Sequence, residues 1–167
     1  MKGRKPAEIT RDIVRGTVRL LYARGYVSLL EAPLGNRRRA DIVAVHGTGD
    51  VVIVEVKSGL SDFRGDHKWQ DYLAFCDRFY FAVDGAFPIK RLRAPKVQSK
   101  GAGVIVADSH DGEVMVEGSK QPMQGQRRAH LMRRLARIGA QRLTIPLISD
   151  TEPPTQPTGS GETGLLL

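Results

Sequence analysis

The sequence predicts an α/β fold, one mixed β-sheet sandwiched by helices. Three observations carry this. Segments with helical and strand periodicity follow one another in the order α-β-β-β-α-β-β-β-α, the alternation of a layered α/β domain. The segment "VVIVEVK" (Val51 to Lys57) is apolar on both alternating faces until its last three residues, as a strand covered on each side must be. Gly- and Pro-rich turns separate the strand-like runs.

Each element has its own signal. From Ala7 to Arg24, Ile9, Ile13, Val14, Val18, Leu20 and Leu21 recur near the helical period, and Gly25 stops the helix. Tyr26 to Glu31 reads as a strand ended by "APLGN". Arg39 to His46 and Val51 to Lys57 form a hairpin around "GTGD". The polar segment "SGLSDFRGDH" leads to a helix over Lys68 to Asp77, and "RFYFAV" is the next strand. The basic stretch "DGAFPIKRLRAPKVQSKGA" reads as a long loop. "GVIVAD" and "EVMVEG" pair around "SHDG". A last helix spans Gln124 to Arg142, with Leu131, Leu135 and Ile138 on one stripe. Residues 1–148 make one domain; residues 149–167, rich in Pro, Gly and Thr, have the composition of a disordered tail.

Composition narrows the function. Of 167 residues, 41% are hydrophobic and 26% charged, which is ordinary for a folded domain. No run of about 18 apolar residues exists to span a membrane. The polar start "MKGRKPAEITRD" lacks the apolar core of a secretory signal, and the single Cys76 allows neither an internal disulfide nor a multi-cysteine zinc site. A cytoplasmic location is the expectation. The net charge is +8, and because Asp150, Glu152 and Glu162 lie in a tail without bases, the preceding part carries 26 bases against 15 acids, or +11. Such a domain favours a polyanionic partner, nucleic acid before membrane. "SKGAG" lacks the Gly-Lys-Ser/Thr ending of a phosphate-binding loop, so ATP hydrolysis is not expected.

The hairpin "ADIVAVHGTGDVVIVEVKSG" contains what a buried sheet should avoid: Asp41 at its start, Glu55 and Lys57 at its end. Strand alternation puts Val51, Ile53, Glu55 and Lys57 on one face and Val52, Val54 and Val56 on the other. The hairpin brings Asp41 beside Glu55. Converging carboxylates repel, and a divalent cation relieves them; oxygen ligands suit Mg²⁺ or Mn²⁺. Asp41, Glu55 and the backbone carbonyl of Val56 are the expected ligands. Lys57 would orient or deprotonate an attacking water and stabilise developing negative charge.

An Asp, a β-turn-β linkage and Glu-x-Lys ending an apolar strand resemble the PD-(D/E)XK nuclease motif, with Asp41, Glu55 and Lys57 at its three positions and Ala40 where the motif's name has proline. More narrowly, "RRRADIVAV", "VVIVEVKSGLSDFRGDHKWQDYLAFCDRFYFAV", "GVIVAD" and the basic last helix resemble the MmcB family of DNA repair proteins over about Glu8 to Arg142. The resemblance implies a restriction-endonuclease-like core (α-β-β-β-α-β then β-β-α). It also implies metal-dependent hydrolysis of DNA leaving a 5′-phosphate and a 3′-hydroxyl. An additional carboxylate is common in that fold; Glu31 is the preferred candidate, and Glu8, which equally well complements a helix dipole, ranks below it.

Arg37, Arg38 and Arg39 flank Asp41 and are candidate phosphate contacts. Arg127, Arg128, Arg133 and Arg134 on the last helix are others, and Lys68, Arg64 and Asp62 lie within reach of the site. Gln70, Tyr72 and Ala74 break the Gln-x-x-x-Tyr pattern of processive exonucleases of this fold. Trp69 and Tyr72 share a helix face and are expected to pack on the sheet. The four histidines lack metal-ligand spacing, and only His67 lies near the site. Cys76 reads as a small buried residue. Three functions remain open: a DNA repair endonuclease, a non-catalytic DNA-binding or recruitment module, and a restriction-type enzyme. Dimerisation suits a junction-resolving enzyme, and the tail ending "GLLL" offers a tether for a repair-protein partner.

Overall fold

The computed structural model describes residues 4–66 and 68–148. The tail and His67, on which two of the expectations above fall, lie outside the described residues. Helix α1 spans Pro6–Ala23; strands β1 (Tyr26–Pro33), β2 (Arg39–His46) and β3 (Val51–Lys57) follow. Helix α2 (Leu60–Gly65) and a 3-10 helix (Trp69–Phe75) lead into β4 (Arg78–Val83). A 3-10 turn (Ile89–Arg91) and helix α3 (Pro95–Gln98) precede β5 (Gly103–Ala107), β6 (Gly112–Val116) and helix α4 (Gly125–Ile148).

The six strands form one mixed sheet in the order β1-β2-β3-β4-β5-β6. β3, β4 and β5 are parallel, whereas β1–β2, β2–β3 and β5–β6 pair antiparallel. This is the helix-flanked α/β architecture expected, and it is consistent with a restriction-endonuclease-like core. All seven residues of β3 are buried. Ile42, Ala44, Val52, Val54, Val56 and Ile105 pack under α1 through Ile13 and Leu21. On the other face, Val43, Ile53, Phe79, Phe81 and Val104 meet Trp69, Tyr72, Leu131 and Leu135.

Two local contacts fix the layers. Gly16 of α1 lies so close to the β5–β6 turn that a Cβ there would stand 2.3 Å from the carbonyl oxygens of Asp108 and Asp111. On the opposite face, Arg128 of α4 grips Asp77 with two hydrogen bonds of 2.7 and 2.6 Å, while Asp77 also accepts the N–H groups of Val51 and Met123. The Arg128 guanidinium and these N–H donors outweigh burial and hold the Asp77 carboxyl down at about 2. Glu8 accepts a hydrogen bond from the Lys5 N–H at 3.2 Å and so caps the start of α1.

Three elements differ from the sequence reading. The helix expected over Lys68 to Asp77 is a 3-10 helix. At about three residues per turn, Trp69 and Tyr72 fall on the same line and both reach Phe79, with ring centroids at 5.3 and 6.2 Å. The expected loop after Val83 contains two short helical turns, because Phe87, Leu92 and Val97 are drawn into the core. Finally, α4 extends beyond Arg142 to Ile148, with Pro146 only in its last turn.

Candidate active site

The charged end of β3 is where the sheet's own pairing places it. Ile42 lies opposite Val54, so one residue further Asp41 faces Glu55. The Asp41 N–H donates to Glu55 Oε1 at 3.2 Å, and the Val56 N–H donates to Asp41 Oδ2 at 2.8 Å. Each carboxylate thus has one oxygen fixed by the neighbouring strand. Lys57 Nζ stands 3.9 Å from Glu55 Oε2 and 2.7 Å from Asp66 Oδ2. The side chains of Glu55 and Lys57 are only 7% exposed, so this is a buried charge cluster rather than a strand end passing into solvent.

Electrostatics follow from that burial. The Glu55 carboxyl is pushed up to about 8, first by desolvation and then by the charge of Asp41. Desolvation also raises the Asp41 carboxyl, against the opposing effects of the Val56 N–H and Lys57. Two acids that resist ionisation side by side are a suitable place for a divalent cation, whose charge would offset both effects. The donor set fits: hard carboxylate oxygens on a rigid buried hairpin, with Val56 adjoining them and registered against Ala82 of β4.

The other candidates are arranged as follows. Extending the β1–β2 register places Glu31 opposite Asp41, and its charge raises the proton affinity of Asp41. Its carboxylate, however, pairs with Arg39 at 2.5 Å and is half-exposed. Among the described residues, no three acid, His or Cys side chains converge on one metal-binding group. Glu31 also has φ +49°, a left-handed conformation that a non-glycine residue rarely adopts. Arg142 donates to the carbonyls of Leu30 and Glu31 at 2.5 and 3.0 Å and secures that bend.

The arginines expected at phosphates divide into two sets. Arg38 is bonded to Asp71 at 2.8 Å, Arg127 lies over the Phe75 ring and donates to the Ala74 carbonyl, and Arg134 reaches the Pro33 and Leu34 carbonyls. With Arg128 on Asp77, these side chains bind α4 and the β1–β2 turn to the protein itself. Arg37, Arg64, Lys68 and Arg133 are exposed, and among the described residues none of the four is in an ion pair. Arg133 lies 3.0 Å from His130.

Asp66 was not singled out from the sequence. In "SGLSDFRGDH" nothing distinguishes it from Asp62, which instead accepts the Ser58 N–H at 3.1 Å. Only the turn after α2 brings it to Lys57. Tyr72 packs as expected but also donates its hydroxyl to the Arg39 carbonyl at 3.0 Å, and the carboxylates nearby add to the burial that raises its pKa. Cys76 is buried, and that burial pushes its thiol up to about 12.

The family model for MmcB-like DNA repair proteins matches residues 1–149. The chain belongs to this MmcB-like family. Its fold is also similar to the SPO1766 protein of unknown function from Silicibacter pomeroyi, at 30% identity and a TM-score of 0.78, covering 92% of this chain and 98% of that one. Comparison with curated proteins gave no match. The family assignment places the buried acid and lysine cluster in a DNA repair protein. No helix among the described residues is long and apolar enough to cross a membrane.

Proposed function

We propose that this protein hydrolyses phosphodiester bonds of DNA during repair, with Mg²⁺ or Mn²⁺ held by Asp41 and Glu55. The observation that carries this reading is the burial of two facing carboxylates and a lysine at one end of the central strand. A core that only needed stability would gain by replacing them with apolar side chains. The bound cation would neutralise charge on the scissile phosphate. Asp41 and Glu55 orient their oxygens through the backbone N–H bonds described above. Lys57, freed from or sharing Asp66, would hold the attacking water and stabilise the pentavalent phosphate's negative charge. Glu31 and the Val56 carbonyl are the candidates to complete the ligand set.

A second reading is favoured by one specific contact. Lys57 is already neutralised by Asp66 at 2.7 Å, as would suit a DNA-binding or recruitment module that retains the cluster for stability. End-labelled single-stranded, duplex, flap and junction DNA incubated with Mg²⁺ or Mn²⁺ separates the two. Cleavage of one substrate is expected, and Asp41→Ala and Lys57→Ala should each lower it by about 100-fold or more while leaving the fold intact by circular dichroism. Binding without cleavage in all three proteins would instead establish the module. The same substrates address a homodimer acting on symmetric junction strands.

A further inference from the structure

A cavity of about 360 Å³, within the size range of small-ligand sites, is lined in part by Asp66, the ion-pair partner of Lys57. It opens between α2, the 3-10 helix and the segment from Arg91 to Val97. We propose that it receives one unpaired nucleotide, making single-stranded or locally unpaired DNA the preferred ligand. The proposal rests on DNA being the substrate of the adjoining site, and it adds which form of DNA.

The lining has the two-part chemistry of a nucleotide. Leu60, Phe63 and Ala94, with the narrow exposed edges of the buried Trp69 and Val97, supply apolar surface against which a base can lie. Trp69 is held rigidly, since its ring stacks on Phe79 at 5.3 Å and meets Phe81 edge-on at 5.3 Å. Phe63 is fixed likewise, edge-on to Phe81 at 5.4 Å. Arg64, Arg91 and Lys96 add three cations to the same lining. All three are exposed, and none is in an ion pair among the described residues, so their charge is available to phosphates. Gln70 supplies an amide that can both donate to and accept from a base edge.

The cavity's one acid does not oppose this. Asp66 is neutralised by Lys57 at 2.7 Å and also accepts the Lys68 N–H at 3.0 Å. Asp66 links the cavity to the carboxylate site, since it pairs with Lys57, which in turn stands 3.9 Å from Glu55. A base paired in a duplex would have to leave its stack to enter.

Trp69 is the chain's single tryptophan, so its fluorescence reports on this cavity. The test titrates the full chain, in EDTA so that nothing is cut, with an oligothymidylate of about ten nucleotides. A duplex of equal length serves as control, and anisotropy of a labelled strand measures total binding. The expected result is quenching by the single strand and not by the duplex. Arg91→Ala/Lys96→Ala should weaken binding roughly tenfold and lower the slope of log K against log salt by about 1.4, or about 0.7 per lost contact. Binding seen by anisotropy without quenching, equal quenching by duplex, or no DNA binding would each overturn the proposal. Quenching by a protein that cuts no substrate would leave this pocket standing and sink only the nuclease reading.

Discussion

At the scale of single residues, Glu55 gives the proposed site its clearest pH signature. Burial and the facing Asp41 raise its pKa to about 8, so near neutral pH it is largely protonated when no cation is bound. On the proposed reading, a cation would have to displace that proton. Its affinity is therefore expected to rise about tenfold per pH unit up to about pH 8 and then level off, a profile that Glu55→Gln should flatten; titration calorimetry with Mn²⁺ at several pH values measures it. The sign for stability is opposite. Because the folded pKa lies above the unfolded one, the contribution of Glu55 is complete below the unfolded value of 4.5 and is lost as pH rises toward about 8. Asp66 belongs to the same charge cluster, at 2.7 Å from Lys57. Asp66→Asn removes the charge that neutralises Lys57, and among the described residues the nearest other carboxyl in an ion pair with that buried ammonium is Glu55 at 3.9 Å.

At the scale of elements, the site depends on layers held by a few close contacts. The hairpin β2–β3 presents the acids, and α1 covers its other face. The approach of Gly16 to the β5–β6 turn sets how near α1 can sit. Gly16→Ala improves intrinsic helix propensity by up to about 1 kcal/mol. Nevertheless it should destabilise the protein by about 2 kcal/mol, because backbone oxygens at 2.3 Å from the new Cβ cannot yield as a flexible side chain would. The urea midpoint reads this directly; an unchanged or higher midpoint would show that α1 shifts freely. The arginines of α4 illustrate a second function of charge at this scale. Arg127, Arg128 and Arg134 tie the helix to Ala74, Asp77 and the end of β1.

For the whole molecule, the net charge of +8 matters through the cations that remain free. If Arg37 and Lys68 contact phosphates, Arg37→Ala/Lys68→Ala should reduce the salt slope of single-strand binding by about 1.4. Arg128→Ala should instead lower the melting temperature, since Asp77 would be left buried without its partner. Filter binding across a salt series, beside a thermal melt, distinguishes the two classes.

Much of this molecule is legible in one dimension. Period-two and period-3.6 patterns disclosed the strands, α1, α4 and the two-faced burial of β3, because hydrophobic alternation is a local property that each element must satisfy by itself. Asp41, Glu55 and Lys57 stood out for the same reason, as charges interrupting an apolar pattern. Only the tertiary structure could decide which charges meet. Asp66 reaches Lys57 through a turn with no sequence signature, and Arg128 reaches Asp77 across 51 residues of chain. The cavity that Asp66 lines is assembled from α2, the 3-10 helix and the segment before β5. Pairing between distant segments is set by packing of the whole core, which no local pattern encodes.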